Sequence, residues 1–128
     1  MKYEELVKIA SEEKHKAYAP YSGFKVGAAV VTGTGNVYTG VNIENASYGA
    51  TNCAERTAVF KAVSNGERKI DLVAISSESD DYIFPCGICR QVLAEFGHKD
   101  TKIICSKNNG DFIVFKLEDL LPHAFYLK

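Results

Sequence analysis

Residues 52–62 read NCAERTAVFKA and place a thiol, a carboxylate and a guanidinium within four positions, at Cys53, Glu55 and Arg56. The apolar residues that follow recur at the spacing of a helix's core-facing side. A helix is therefore predicted from about Cys53 to Ser64, with reactive side chains crowded into its first turn.

A second cluster, FPCGICRQVL at residues 84–93, repeats this arrangement, because Cys86 and Cys89 form a C-x-x-C pair at the start of another predicted helix. Helix N-termini carry partial positive charge, which lowers thiol pKa values and favours thiolates, good ligands for zinc. Structural zinc sites usually have four protein ligands, whereas catalytic sites keep one position for water. Three thiols at two helix starts thus predict a catalytic zinc site, with Glu55 two residues from Cys53 to exchange protons with the water.

Other interpretations of the cysteines remain. The C-x-x-C pair alone could be a redox pair, although the expected thioredoxin-like setting is missing. It could also be half of a structural zinc site that Cys105 completes. Cys105 lies in the apolar segment KIICS, and free cysteines are commonly buried, so we expect a core thiol there. The three histidines do not have ligand spacing.

Hydrophobic periodicity and turn residues predict nine elements in the order α-β-β-α-β-α-β-β-α. The predicted strands are Val26–Thr32, Val37–Val41, Leu72–Ser77, Lys102–Ser106 and Phe112–Lys116. The predicted helices are Tyr3–Ala17, Cys53–Ser64, a segment from Pro85 to Gly97, and a last turn at Glu118–Leu121. Two βαβ-type crossovers imply an α/β fold of three layers, α/β/α, with a mixed five-stranded sheet. We expect one domain over residues 1–128.

Bulk composition narrows the function. A formal net charge of −1 and a pI near 6.3 argue against a dedicated nucleic-acid binder, which usually has a clear basic excess. The first ten residues carry Glu4 and Glu5 where a signal peptide needs an apolar core, and no apolar stretch is long enough to span a bilayer. We therefore expect a cytoplasmic protein without a membrane partner, in which the four cysteines are ligands or buried thiols.

The motif C-A-E followed by P-C-x-x-C resembles the zinc nucleobase deaminases. More narrowly, FKVGAA at 24–29, NIENASYG at 42–49 and both cysteine motifs resemble the small cytidine deaminases of pyrimidine salvage, and the resemblance covers nearly the whole chain. It implies a cytidine deaminase-like fold with one zinc ion per chain. It also implies hydrolytic deamination of cytidine and deoxycytidine to uridine and deoxyuridine, with release of ammonia, by a homotetramer whose active sites lie at subunit interfaces.

By this resemblance Cys53, Cys86 and Cys89 hold zinc, and Glu55 moves protons between water, the pyrimidine N3 and the departing amine. The substrate contacts that it implies are Phe24 on the pyrimidine, Asn42 and Glu44 on the ribose, the Ala54 main chain on the base, and Tyr48 and Phe125 reaching a neighbouring subunit's pocket. The substrate would be a free nucleoside, since a carboxylate at Glu44 repels nucleotides. Loop capping by Asn42 and Glu44, and core packing of the two phenylalanines, are the simpler alternatives.

Arg56 lies three residues after Cys53, so both side chains can share one helix face. We expect its guanidinium to donate hydrogen bonds to thiolate sulfurs and to offset the negative charge of a three-thiolate site. A surface ion pair is the alternative.

Three rival functions stay open. They are a deaminase of an aminopyrimidine antibiotic nucleoside, a structural zinc module for a protein partner, and an editor of cytosine in polynucleotides. The NIENASYG segment argues against the first and Glu55 against the second. The missing basic excess and Glu44 argue against the third.

Overall fold

The computed structural model describes residues 1–127, so Lys128, at the end of the predicted domain, lies outside the described residues. Its α-helices are α1 (Tyr3–Glu13), α2 (Ala54–Ser64), α3 (Gly87–Phe96) and α4 (Leu117–Leu120), and its strands are β1 (Val26–Thr32), β2 (Val37–Val41), β3 (Ile70–Ser77), β4 (Lys102–Ser106) and β5 (Phe112–Lys116). Short 3₁₀ turns cover Lys14–Lys16 and Tyr48–Ala50. None of these helices is long and apolar enough to cross a membrane.

The strands form a single mixed sheet in the order β2-β1-β3-β4-β5, in which only β3 and β4 pair in parallel. β2 and β3 are both antiparallel to β1, so they run in the same direction although β1 lies between them. The segments β2-α2-β3 and β3-α3-β4 are therefore the two predicted crossovers. The predicted mixed five-stranded α/β sheet is confirmed.

Alternate residues of the central strands face opposite layers of the core, as the two-residue period of a strand requires. Ala29, Ala74 and Ile104 pack with α1 on one face. The other face carries Val30, Val73 and Ile103, which pack with α2, α3 and the start of α4. The helices that begin with the cysteine motifs consequently lie side by side on the same face of the sheet.

Helix α2 approaches β2 through a glycine. A Cβ built on Gly40 would lie 2.6 Å from the carbonyl oxygen of Ala54 and would also collide with the amide nitrogen of Ala58. Only glycine permits such contact between helix and strand backbones. Gly40 thus determines how closely the first turn of α2, which carries the reactive cluster, sits against the sheet.

We predict that Gly40→Ala lowers the free energy of unfolding by about 1–3 kcal/mol, because the added methyl overpacks a backbone contact. Gly49→Ala is the matched control, since a Cβ at Gly49 meets nothing within 4 Å. Urea unfolding of both variants measures the effect. Equal midpoints for Gly40→Ala and Gly49→Ala would contradict the close approach of α2 to β2.

Candidate active site

Three sulfur atoms converge where α2 and α3 begin. Cys53 is the N-cap of α2 and Cys86 the N-cap of α3, while Cys89 lies buried in the first turn of α3. The sulfurs of the three residues all lie within 4.8 Å of one another, and those of Cys53 and Cys86 are 3.6 Å apart. Within residues 1–127 they form the only cluster of three or more potential metal-ligating side chains, and Cys105, buried elsewhere in the core, is not part of it.

The donor set fits zinc. A tetrahedral site with Zn–S bonds of ≈ 2.3 Å puts two sulfurs about 3.8 Å apart, close to the separation of Cys53 and Cys86. The Cys53 thiol also ionises readily. The pKa of Cys53 is lowered to about 5, chiefly by a hydrogen bond from Cys89, which outweighs the effect of burial, and Arg56 lowers it further. That shared hydrogen bond raises the pKa of Cys89, so Cys53 is the first of the pair to become a thiolate.

Arg56 contacts the predicted metal ligand directly. Its Nη2 donates a hydrogen bond to Sγ of Cys53 at 3.3 Å, which is the contact expected from the spacing of three. Burial lowers the pKa of the guanidinium, but hydrogen bonds and charge at Cys53 and Cys89 raise it overall, so Arg56 stays protonated. Its Nε is buried and has no hydrogen-bond partner in the described part of the chain. The ion pair considered as an alternative for Arg56 is not seen within residues 1–127.

Glu55 is almost fully buried in the first turn of α2, beside the sulfurs. Burial is the main cause that raises its pKa, to about 7, and the negative charge of Cys53 adds to the effect. A carboxyl group with a pKa near neutrality can both accept and donate a proton at that pH, which is the property of a general acid–base group.

A cavity of about 260 Å³ opens beside the sulfurs. At one end it is lined by Cys53, Ala54, Glu55 and Cys86, and at the other by Phe24, Asn42 and Glu44, together with Ser22, Val26, Thr51, Asn52, Ile83 and Phe84. Seven residues predicted as ligands, proton carrier or substrate contacts therefore surround one space that is large enough for a small ligand.

The far end of this cavity is built by short backbone pairings. Tyr18 bridges Ile43, and Ile43 bridges Asn52, the residue before Cys53. Asn42 adds two hydrogen bonds, accepting one from the amide of Val26 at 2.9 Å and donating one to the carbonyl of Phe24 at 2.8 Å. The capping role considered for Asn42 is thus present, and it also fixes the strand end that carries Phe24.

Glu44 is held by the loop that precedes Phe24. Its Oε1 accepts hydrogen bonds from the amides of Tyr21 and Ser22 at 3.0 Å each, and its Oε2 accepts one from the hydroxyl of Ser22. The hydroxyl of Ser22 also accepts from the amide of Phe24 at 3.0 Å. The Ser22 hydrogen bonds lower the pKa of Glu44, which keeps a negative charge at this end of the cavity.

The two residues predicted to act on a neighbouring subunit lie outside this cavity. Tyr48, 81% exposed, lines a separate cavity of about 390 Å³ that shares Ser22, Glu44 and Thr51 with the first. Phe125 is 67% exposed, and its carbonyl accepts a hydrogen bond from Gln91 on α3 at 2.8 Å. Neither ring packs in the core of its own chain, so the core-packing alternative for Phe125 is wrong.

Sequence reasoning missed three residues that shape the site. Ser22 links Glu44 to Phe24, and Phe84 forms part of the cavity wall. Arg90 on α3 donates from Nε to the carbonyl of Pro85 at 2.8 Å, and from Nη1 to that of Leu120 at 2.8 Å, which fixes the turn before Cys86. Arg90 and Phe84 both lie in the quoted motif FPCGICRQVL, but the contacts that give them these roles leave no pattern in its residue spacing.

Comparison with known proteins agrees with this geometry. The zinc-binding region of cytidine and deoxycytidylate deaminases matches residues 1–105. A cytidine deaminase of Halalkalibacterium halodurans is 48% identical over 120 residues, covering 94% of this chain and 91% of the relative. A blasticidin-S deaminase of Bacillus cereus is 32% identical, covering 92% of this chain and 88% of the relative.

A crystal structure of cytidine deaminase from Burkholderia pseudomallei superposes with a TM-score of 0.93 at 47% identity, covering 98% of this chain and all of that chain (100%). The predicted resemblance and the zinc cofactor are thereby confirmed. The family model matches most of this chain, and the relatives named above cover nearly all of it. The chain therefore belongs to the family of zinc-binding cytidine and deoxycytidylate deaminases.

Proposed function

We propose that this protein catalyses the hydrolytic deamination of cytidine and deoxycytidine to uridine and deoxyuridine, with release of ammonia and with one zinc ion per chain. One observation carries the proposal. A single cavity joins a three-sulfur site and a buried carboxyl group at one end to a charged, hydrogen-bonding end at the other. The first end suits attack of water on an aminopyrimidine, and the second suits a sugar with free hydroxyls.

Cys53, Cys86 and Cys89 would hold the zinc ion, which when bound supplies an activated water at neutral pH and Lewis-acid stabilisation. Glu55 handles the protons. It accepts one from the attacking water, gives one to N3 of the ring, and transfers one to the amine. A C4–O bond forms and the C4–N bond breaks, so that one water is consumed and one ammonia leaves. Burial of Glu55 makes both its protonated and ionised forms accessible near neutral pH.

The other cavity residues bind and orient the nucleoside. Phe24 packs on the pyrimidine, and the Ala54 main chain contacts the base at the start of α2. Asn42 and Glu44 hydrogen-bond the ribose hydroxyls. The ionised Glu44 repels a phosphate group, which favours nucleosides over nucleotides and over polynucleotides.

A homotetramer would complete the site. Tyr48 and Phe125 are large apolar side chains that remain mostly exposed, and both lie outside the cavity of their own chain. Docked against a neighbouring subunit, they would close its pocket from water. We propose a role in pyrimidine salvage in the cytoplasm, where the thiols that the site needs stay reduced.

The antibiotic-nucleoside deaminase is the second candidate, supported by the 32% identity to the blasticidin-S deaminase of Bacillus cereus. The higher identity to the cytidine deaminase of Halalkalibacterium halodurans, 48%, favours cytidine. A panel of cytidine, deoxycytidine and blasticidin S, followed by ultraviolet absorbance and ammonia release, separates the two. Turnover of blasticidin S without turnover of cytidine would overturn the main proposal.

We predict that Glu55→Gln folds and keeps zinc but deaminates cytidine ~10²–10⁴-fold more slowly, since one group carries several proton transfers. Glu67→Gln is the matched control, because Glu67 is also buried but lies outside the cavity. There its carboxylate accepts hydrogen bonds from Thr34 and Asn36. It should keep wild-type kcat. Near-normal kcat in zinc-replete Glu55→Gln would show that Glu55 does not carry the proton transfers.

We predict that Glu44→Gln lowers kcat/KM for cytidine about 10–100-fold, mostly through KM, because a hydrogen bond to a charged group typically contributes ≈ 1.5–3 kcal/mol. It should also narrow the preference for cytidine over its 5′-monophosphate. Ser22→Ala is the control, since it disturbs the loop around Glu44 but keeps the carboxylate. Steady-state kinetics on both substrates test this, and an unchanged KM in Glu44→Gln would exclude the ribose contact.

We predict that Arg56→Ala lowers kcat about 10–100-fold and moves the acid limb of the pH–rate profile upward, with zinc mostly retained. Three thiolates leave a zinc site with net negative charge, which opposes ionisation of the attacking water unless a cation offsets it. Arg56→Gln should be milder because it keeps hydrogen-bond donors.

Arg68→Ala is the control for Arg56, since Arg68 donates hydrogen bonds to the carbonyl of Val63, near the end of α2, and to that of Glu67, just beyond it. The measurement is kcat against pH for zinc-quantified wild type and the three variants. An unchanged profile in Arg56→Ala would show that the helix N-termini alone compensate the charge.

A further inference from the structure

Phe84 occupies a position in the cavity that none of the roles above explains. It lies two residues before Cys86, lines the cavity and is 43% exposed. Its ring packs against Phe115 of β5, with centroids 5.9 Å apart and planes at 53°. The neighbouring residue is fixed as well, since the amide of Ile83 donates to the carbonyl of Ser106 at 3.2 Å. Phe84 is thus a supported aromatic wall, with part of its surface left uncovered.

The proposed reaction restricts which edge of a pyrimidine meets this wall; the inference therefore rests on the proposed function. C4 must face the sulfurs, N3 must face Glu55 on α2, and the sugar at N1 must point to Glu44. The C2 carbonyl, between N1 and N3, then lies on the Glu55 side of the ring, and the opposite edge carries C5 and C6. Glu55 comes from the α2 side of the cavity, whereas Ile83 and Phe84 come from the α3 side. The C5 edge is consequently directed at Phe84.

We propose that Phe84 is a specificity-determining residue that limits the size of the substituent at pyrimidine C5. A ring held by Phe115 cannot withdraw without losing its packing, so a group larger than hydrogen at C5 meets a stiff apolar surface. Cytidine fits against this surface, and 5-methylcytidine is disfavoured. The residue touches substrate and discriminates between substrates, but takes no part in proton transfer.

The test compares cytidine with 5-methylcytidine in wild type, Phe84→Ala, Phe84→Leu and Phe60→Ala, all with zinc quantified. Phe60 is the matched control, because it is a phenylalanine of similar exposure, 45%, on α2 outside the cavity. We expect wild type to prefer cytidine by about 10-fold or more in kcat/KM, the discrimination typical of one methyl group in a pocket. Phe84→Ala should bring the ratio close to one, Phe84→Leu should lie between, and Phe60→Ala should match wild type.

A second readout does not depend on turnover. Calorimetric Kd values for the products uridine and 5-methyluridine should show the same preference in wild type and its loss in Phe84→Ala. If Phe84→Ala fails to fold or loses zinc, Phe84→Leu decides. The inference would be overturned if both Phe84 variants kept the wild-type ratio of kcat/KM for cytidine to that for 5-methylcytidine. It would also be overturned if wild type used the two substrates equally well. A zinc-replete wild type that deaminates neither nucleoside would refute the proposed function instead, while the binding measurements still judge Phe84.

Discussion

The convergence of two helix N-termini on three sulfur atoms is the constraint on which the rest of the structure depends. Cys53 and Cys86 cap α2 and α3, and the amide of Cys89 donates to Sγ of Cys86 at 3.5 Å. The positive end of a helix dipole favours the thiolate form of a cysteine at each of these N-caps, and Cys86 also accepts this amide hydrogen bond. The same geometry brings Glu55 and Arg56 to the sulfurs, because both belong to the first turn of α2. Ligand, proton carrier and compensating charge therefore share one turn of helix.

Packing in the surrounding fold fixes the positions of the two helix N-termini relative to each other. The glycine at position 40 lets α2 press on β2, and small residues of α2, such as Ala58 and Ala62, are fully buried against the sheet. Arg90 ties the turn before Cys86 to the carbonyl of Leu120, so the C-terminal α4 region braces the α3 half of the site. A shift of either helix would separate the sulfurs, which is why packing far from the cavity supports its chemistry.

Local pattern predicted most of the fold. Four strands, β1, β2, β4 and β5, have the predicted bounds, because turn residues and alternating apolar residues mark both ends. The first helix was predicted to Ala17 but ends at Glu13, before a 3₁₀ turn. There Lys14 turns inward and is buried, donating to the carbonyl of Ser77 and to Asn108. A charged side chain satisfied by acceptors more than sixty residues away leaves no trace in local periodicity.

The residues of the site also divide into those that the local sequence predicted and those that it did not. Residues whose chemistry and spacing are local, such as the cysteines with Glu55 and Arg56, could be predicted from the motifs, and Cys105 proved to be the expected core thiol outside the cluster. Ser22 and Phe84 could not. Their roles arise from contacts to Glu44 and Phe115, which are distant in the chain and come near only in the folded structure.

X-ray absorption spectroscopy of the zinc-loaded protein tests the central claim most directly, because it counts the sulfur neighbours of the metal. A catalytic site built by two helix starts predicts three sulfur ligands at ≈ 2.3 Å and one lighter ligand, oxygen or nitrogen, in the remaining position. The same spectrum is expected from Cys105→Ala. Four sulfur ligands in wild type, with one lost in Cys105→Ala, would mean a closed structural site and would contradict the account.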